Sequence, residues 1–178
     1  MARPRLTGVL LVGGASTRFG SPKALARLDG ETLAVRGWRV LGDACDERLA
    51  VGKRADGLEL PFELVDDESE TRAALTGIVA GLRASPTPVS VILPVDTPLV
   101  TPDLLRELAA ACADAAAPET TPLPAAFDRR ALPVLDRRLR ERQLALHEAL
   151  DELETRRIEV DAELLANVNT PDELRRLG

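Results

Sequence analysis

The chain has 178 residues, 45% apolar and 29% charged, which is enough for one ordinary domain with a substantial core and excludes a disordered chain. A net charge of −6, no Tyr, one Trp and three Phe argue against a nucleic-acid surface. Two cysteines, Cys45 and Cys112, without paired spacing, and a single histidine, His147, remove most zinc and histidine-based triad chemistry.

In chain order, Leu6 to Val12 reads as a short buried strand that runs into a glycine-rich segment, Gly13-Gly14-Ala15-Ser16-Thr17-Arg18-Phe19-Gly20-Ser21-Pro22-Lys23. Leu33 to Leu41 carries apolar residues at helical spacing, Arg48 to Val51 is a weak second strand, and Phe62 to Val65 a third before Asp66-Asp67. A helix over Thr76 to Leu82 leads to Val89 to Val95, the clearest strand, and Thr101-Pro102-Asp103 begins a helix over Leu104 to Ala113. Pro118 to Pro124 is expected as a loop. Ala131 to Leu139 and Leu144 to Leu153 are expected as helices, Arg157 to Val160 as an edge strand, and Pro171 to Leu177 as a last helix. Alternating apolar strands and helices predict an α/β sheet covered on both faces, with ligands outside the carboxyl ends of the strands. The longest apolar runs are too short for a bilayer, and the N-terminal one breaks after four residues, so a soluble, cytoplasmic protein without membrane or nucleic-acid partners is expected.

The segment from Gly13 to Lys23 is the strongest local signal. A tight strand-to-helix turn would explain its glycines, but not two hydroxyls at Ser16 and Thr17 and two cations at Arg18 and Lys23; phosphate binding explains all of them. Neither a GxxxxGK[ST] nor a GxGxxG spacing is present. Lys23 and Lys53 are the only lysines among 23 basic residues. A compact ammonium acts as a point charge on phosphate oxygens where a guanidinium fork is too broad. Lys23 stands in a motif, whereas none accompanies Lys53.

Asp96, in Leu93-Pro94-Val95-Asp96-Thr97-Pro98, ends an otherwise apolar strand, where a carboxylate could hold Mg²⁺ against a triphosphate. Its alternative role, a helix cap, is already filled by Thr101 and Asp103. Asp66 and Asp67 are candidates for nucleotide or metal, though an acidic turn after a strand is common. In Asn167-Val168-Asn169-Thr170-Pro171, alternation puts both Asn side chains on one face, and capping accounts only for Thr170-Pro171.

Four ordered motifs make the chain resemble the molybdenum cofactor guanylyltransferase family over nearly its whole length. They are Leu11-Val12-Gly13-Gly14 with Ser16, Arg18, Phe19-Gly20 and Lys23; Leu75-Thr76-Gly77-Ile78; Pro94-Val95-Asp96-Thr97-Pro98; and Asn167 to Leu174. The resemblance implies a single Rossmann-like three-layer α/β/α nucleotidyltransferase domain with a mostly parallel sheet. It would take GTP and Mg²⁺, transfer GMP to molybdopterin and release pyrophosphate, with contact to other molybdenum cofactor biosynthesis or acceptor proteins. It assigns catalytic roles to Lys23 and Asp96, with Asp96 as nucleotide and metal ligand. The nucleotide roles fall on Leu11, Val12, Gly13, Gly14, Ser16, Arg18, Lys23, Asp67 and Gly77, and acceptor-side roles on Asn167 and Asn169. Related cytidylyltransferases tend to end in Asp-x-Asp-Thr-Pro. The chain departs from the family at Ala73-Ala74 in place of Gly-Pro, at Val51-Gly52-Lys53 in place of an Asn-rich strand end, and in a short stretch from Cys112 to Pro124.

Overall fold

The computed structural model describes residues 5–13 and 22–177; Gly14, Ser16 and Arg18 lie outside the described residues. Strand β1 (Leu6–Leu11) is buried throughout; a small hairpin, β2 (Arg27–Leu28) and β3 (Glu31–Thr32), precedes helix α1 (Leu33–Ala44). Thr32 caps that helix, its hydroxyl accepting from the Val35 amide. Then come β4 (Glu47–Gly52), β5 (Leu64–Asp66), α2 (Ala74–Ala84), β6 (Val89–Pro94) and α3 (Pro102–Ala111). The Thr101 hydroxyl accepts from Leu104 N and Pro102 opens α3, as the sequence predicts. The last third contains β7 (Ala115–Pro118), β8 (Ala125–Asp128), α4 (Leu132–Arg140), α5 (Leu146–Glu152), β9 (Thr155–Ile158) and α6 (Pro171–Arg175).

Seven strands form one sheet in the order β5-β4-β1-β6-β8-β7-β9. The pairings β5–β4, β4–β1, β1–β6 and β7–β9 are parallel, and only β8 runs against its neighbours β6 and β7. Side chains alternate between two cores. Leu10, Val12, Val91 and Leu93 pack with α1 and α3 residues such as Leu41 and Leu105; Val9, Leu11 and Ile92 pack with Ile78 and Leu82 of α2 and Leu150 of α5 on the other face. The expected three-layer α/β/α arrangement with a mostly parallel sheet is therefore present.

Two expectations change. The edge strand runs from Thr155 to Ile158, two residues earlier than Arg157 to Val160, because its register is set by pairing Ala115↔Thr155 through Pro118↔Ile158. Strands β7 and β8 have no counterpart in the sequence reading. They are Ala-Ala-Ala-Pro and Ala-Ala-Phe-Asp, lacking the β-branched residues that mark strands, and are held by pairing between β6 and β9 and by burial, Ala115, Ala116, Ala125 and Ala126 being fully covered. The expected loop Pro118 to Pro124 is their connection.

From β1 the chain crosses through α1 to β4 on one side, then from β5 through α2 to β6 on the other. The direction of progression thus reverses at β1, and a crevice opens there at the carboxyl ends of the strands.

Candidate functional site

The ends of these strands are stitched beyond the sheet proper. Val12 N donates to Val51 O, Asp67 N to Gly52 O and Val95 N to Leu11 O, each at 3.0 Å. These bonds hold the exits of β1, β4, β5 and β6 at one level. A cavity of about 380 Å³ lies over them, within the range of small-molecule sites. Leu11, Gly13, Gly77 and Asp96 line it in the centre, Lys53 and Asp67 on the β4–β5 side, and Thr121, Leu123 and Asn167 on the β8 side.

At the centre, residues far apart in sequence converge. Lys23 Nζ donates to Asp96 Oδ2 at 3.1 Å and to Asn169 Oδ1 at 3.2 Å. The Val168 amide donates to the Asp96 carbonyl at 2.8 Å, so the closing motif is tied to the Asp96 loop through its backbone. Val168 itself is buried in the core, which turns Asn167 and Asn169 away from it, the former into the cavity and the latter onto Lys23. The alternation read from the sequence is realised in an extended segment. Thr170 and Glu173 complete a reciprocal capping box, and Glu173 Oε2 also accepts from Asn169 N. The Asp96 loop is anchored by Thr97 Oγ1 to Pro94 O at 2.9 Å and by Arg36 Nε to Pro98 O at 2.8 Å. Side-chain exposure of 16% for Lys23 and 24% for Asp96 leaves the pair mostly covered and poorly screened, and Asp96 lines the cavity.

Asp66 and Asp67 separate clearly. Asp67 lines the cavity and accepts from Lys53 Nζ at 2.8 Å, Ser69 N at 3.0 Å and, weakly, Thr76 Oγ1 at 3.4 Å. Asp66 is turned out of it: its carboxylate accepts from Glu68 N and Arg54 N, and these backbone bonds, the first above all, hold it below the usual carboxylate range. Asp66 thus stands outside the cavity lining and forms the turn, because period-two alternation at a strand end sends adjacent side chains to opposite sides. Val12 packs into the α1 face of the core and is not among the residues lining the cavity, whereas Leu11 lines it directly.

Lys53 stood in the sequence without a motif, and here it is buried in the cavity wall, its ammonium shared between Asp67 and the Ser69 carbonyl. The signal that could have found it is the scarcity of lysine in an arginine-rich chain. Thr121, Leu123 and Leu165 carry no such signal and are brought to the cavity only by the β7–β8 connection and the segment before Asn167.

Among the described residues no group of three or more His, Cys, Asp or Glu side chains could form a metal cage. Mg²⁺ does not need one, since it takes one or two carboxylates and completes its shell with phosphate oxygens and water. Asp96, whose Oδ1 makes no hydrogen bond among the described residues, meets that requirement. Asp67, engaged by Lys53 on the far side of β1, does not.

Comparison with known proteins agrees with this architecture. Residues 8–157 match the family described as the MobA-like NTP transferase domain. The chain is 33% identical to a probable molybdenum cofactor guanylyltransferase of Chloroflexus aggregans, covering 96% of this chain and 92% of that protein. It is 30% identical to a molybdenum cofactor guanylyltransferase of Desulfosudis oleivorans, covering 96% and 93%. The crystal structure of molybdopterin-guanine dinucleotide biosynthesis protein A from Archaeoglobus fulgidus superposes with a TM-score of 0.82 at 25% identity, over 96% of this chain and 95% of that one.

Proposed function

Since this chain belongs to the MobA-like NTP transferase family, we propose that its cavity carries out guanylyl transfer, moving GMP from GTP to molybdopterin with release of pyrophosphate. The observation that carries this reading is the meeting of Lys23, Asp96 and Asn169, of which Asp96 lines a cavity over the reversal point of the sheet. One nucleotidyltransferase domain, in the cytoplasm, provides both substrate sites. Among the described residues no helix is long and apolar enough to cross a membrane.

GTP lies with its base on the Leu11, Gly13 and Asp67 side and its phosphates at Lys23, where Gly14, Ser16 and Arg18 are assigned as further contacts. Molybdopterin approaches from the Asn167 and Asn169 side. A phosphate oxygen of the acceptor attacks the α-phosphorus in line; the new O–P bond forms as the α–β bridge breaks, and pyrophosphate leaves with the bonding pair. A phosphate acceptor is already ionised near neutral pH, so no protein base is required. Lys23 holds the triphosphate and offsets charge on its oxygens, while the Asn167–Asn169 segment, latched to Asp96, sets the acceptor's angle of approach. Asp96 would hold the Mg²⁺, which when bound neutralises charge on the triphosphate and the departing pyrophosphate. Docking of other molybdenum cofactor biosynthesis or acceptor proteins would follow release of the product.

Pyrophosphate release in the presence of GTP, molybdopterin and Mg²⁺ tests the reaction, and thermal shifts with GTP, CTP, UTP and ATP test the base. Release with GTP and the largest shift for GTP are expected. A preference for CTP would replace the guanylyl assignment with a cytidylyl one, and no release with any triphosphate would leave only a nucleotide-binding protein.

A further inference from the structure

The Asp96 carboxylate is only as well placed as the backbone that carries it, and Mg²⁺ demands near-ideal octahedral geometry of its few protein oxygens. That backbone, residues 95–99, is held from outside by Val95 N donating to Leu11 O, Val168 N to Asp96 O, and Arg36 Nε of α1 to Pro98 O at 2.8 Å. The first two are main-chain bonds, indifferent to side-chain identity. Among the described residues, Arg36 is the only side chain from outside this loop that binds its backbone. Beneath the loop lies a small void lined by Arg36, Leu93, Thr97 and Pro98, so close packing alone does not set the loop's height.

The same helix is tied to the cation that faces Asp96. Lys23 opens a single 3₁₀ turn, Lys23–Leu25, which Ala26 N closes by donating to Lys23 O. Ala26 O in turn accepts at 2.8 Å from the amide of Leu33, the first residue of α1, and Thr32 caps that end of the helix. Arg36 stands about one turn further along. Its guanidinium is flanked by the hairpin carboxylates of Glu31 and Asp29, 3.9 and 4.0 Å from Nη1. At Gly37, the next residue, a Cβ would stand 2.6 Å from Leu10 Cδ1, so α1 rests directly on β1 where Arg36 emerges. The path from Lys23 through Ala26, Leu33, Arg36 and Pro98 to Asp96 is thus a closed ring, completed by the 3.1 Å bond between Lys23 and Asp96.

Resting on the guanylyl-transfer reading, we propose that Arg36 is a positioning residue for that reaction: through the Pro98 carbonyl it sets the Asp96 carboxylate at the height from which it and Lys23 serve one triphosphate. Arg36 does not line the large cavity, so it acts through the loop and not on the substrates. Its loss leaves the phosphate side of the site in place, because the Lys23 turn keeps its own bonds through Ala26 to α1. The effect therefore falls on the metal-bearing side. Misplacing a group in such a site by about 1 Å can cost about a hundredfold in rate, and contacts that orient a metal ligand are worth about 10–100-fold in metal affinity or activity.

Arg36→Met and Arg36→Gln isolate the bond. In Gln, Nε2 stands at the place of the Arg Nε along the side chain and can donate to Pro98 O; in Met a methyl stands there and cannot. Both remove the charge, so the difference between them reads the hydrogen bond. The full chain is assayed for Mn²⁺ binding to its GTP complex without acceptor, by water proton relaxation, which separates ion held on the protein from ion on free GTP. GTP affinity in chelator is measured by calorimetry, and kcat by pyrophosphate release at saturating GTP, molybdopterin and Mg²⁺. In Arg36→Met, Mn²⁺ affinity and kcat should each fall about tenfold while metal-free GTP affinity stays within about twofold, and Arg36→Gln should return to within about threefold of wild type. If melting shows that Arg36→Met does not fold, Arg36→Lys decides in its place: its ammonium stands one atom further out and shifts the bond, so Mn²⁺ affinity should fall about threefold with metal-free GTP binding unchanged. Wild-type Mn²⁺ affinity and kcat in the deciding variant, equal losses in Met and Gln, or a matching loss of metal-free GTP affinity overturns the proposal and makes Arg36 a brace of the fold. Wild type that releases no pyrophosphate from GTP removes the guanylyl reading and this inference with it; wild-type release with variants that match it removes only the role of Arg36.

Discussion

Replacing Asp96 by Asn separates the chemistry of this carboxylate from its place in the fold. Its Oδ2 lies 3.1 Å from Lys23 Nζ in a partly exposed setting. A charge-assisted hydrogen bond of this kind is worth about 1.5–3 kcal/mol, a neutral one about 1. The amide oxygen of Asn can still accept from the Lys23 ammonium in a bond that remains charge-assisted on the donor side, so the loss is no more than about 1 kcal/mol. For a chain of this size that is a fall of roughly 2–4 °C in Tm. The carbonyl of residue 96 keeps its bond from Val168 N, so the closing motif stays in place. Turnover responds on another scale. If Asp96 holds Mg²⁺, its charge acts where negative charge builds on the leaving pyrophosphate, and loss of such stabilisation costs about 3 kcal/mol or more, a hundredfold or greater fall in rate. Affinity for metal-free GTP should hold or rise, because a carboxylate facing a polyanion has been neutralised. Pyrophosphate release measured against Mg²⁺ concentration, together with a melting curve and titration of GTP in chelator, reads all three. A wild-type rate with unchanged Mg²⁺ dependence would refute the assignment, and a collapse in Tm of more than about 10 °C would show that the carboxylate acts chiefly in the fold.

Lys23→Ala should weaken GTP binding by about 1.5–3 kcal/mol, roughly ten- to a hundredfold, with little loss of stability; calorimetry that finds wild-type affinity would remove Lys23 from the phosphate site. Gly77→Ala would gain about 1 kcal/mol of helix propensity, but its Cβ would stand 2.9 Å from Leu11 Cδ2. Because Leu11 lines the cavity, the expected result is a Tm near wild type with weaker GTP binding, and unchanged affinity would show that Leu11 swings away freely. Burial, reinforced by the nearby Asp128 carboxylate, pushes the Cys112 thiol up to about 11, so the reactive thiolate is scarce at neutral pH and increases as pH rises toward that value. In a Cys45→Ser variant, alkylation by iodoacetamide at pH 8 should be at least about tenfold slower than for free cysteine; an equal rate would contradict the burial of Cys112.

What the sequence determined by itself was local in origin. The strand leading to Gly13, the caps at Thr101 and Thr170, and the alternation of Asn167 with Asn169 around Val168 each depend on a few consecutive residues, whose apolar period and hydrogen-bonding groups suffice to specify them. Asp96 and Lys23 were legible because each stands out against its neighbours, a charge ending an apolar strand and a lysine among arginines. The tertiary structure decided what depends on a partner distant in sequence. Strands β7 and β8 are mostly alanines of low strand propensity and are recognisable only through their pairing with β6 and β9 and the full burial of Ala115, Ala116, Ala125, Ala126 and Phe127. Asp66 and Asp67 are chemically identical in the sequence; only the pairing of β5 with β4 turns one toward Lys53 and the cavity and the other toward solvent. Lys53 had no local context at all. Its meaning comes from a carboxylate 14 residues away that folding brings to 2.8 Å, where burial makes the charge of each partner matter to the other.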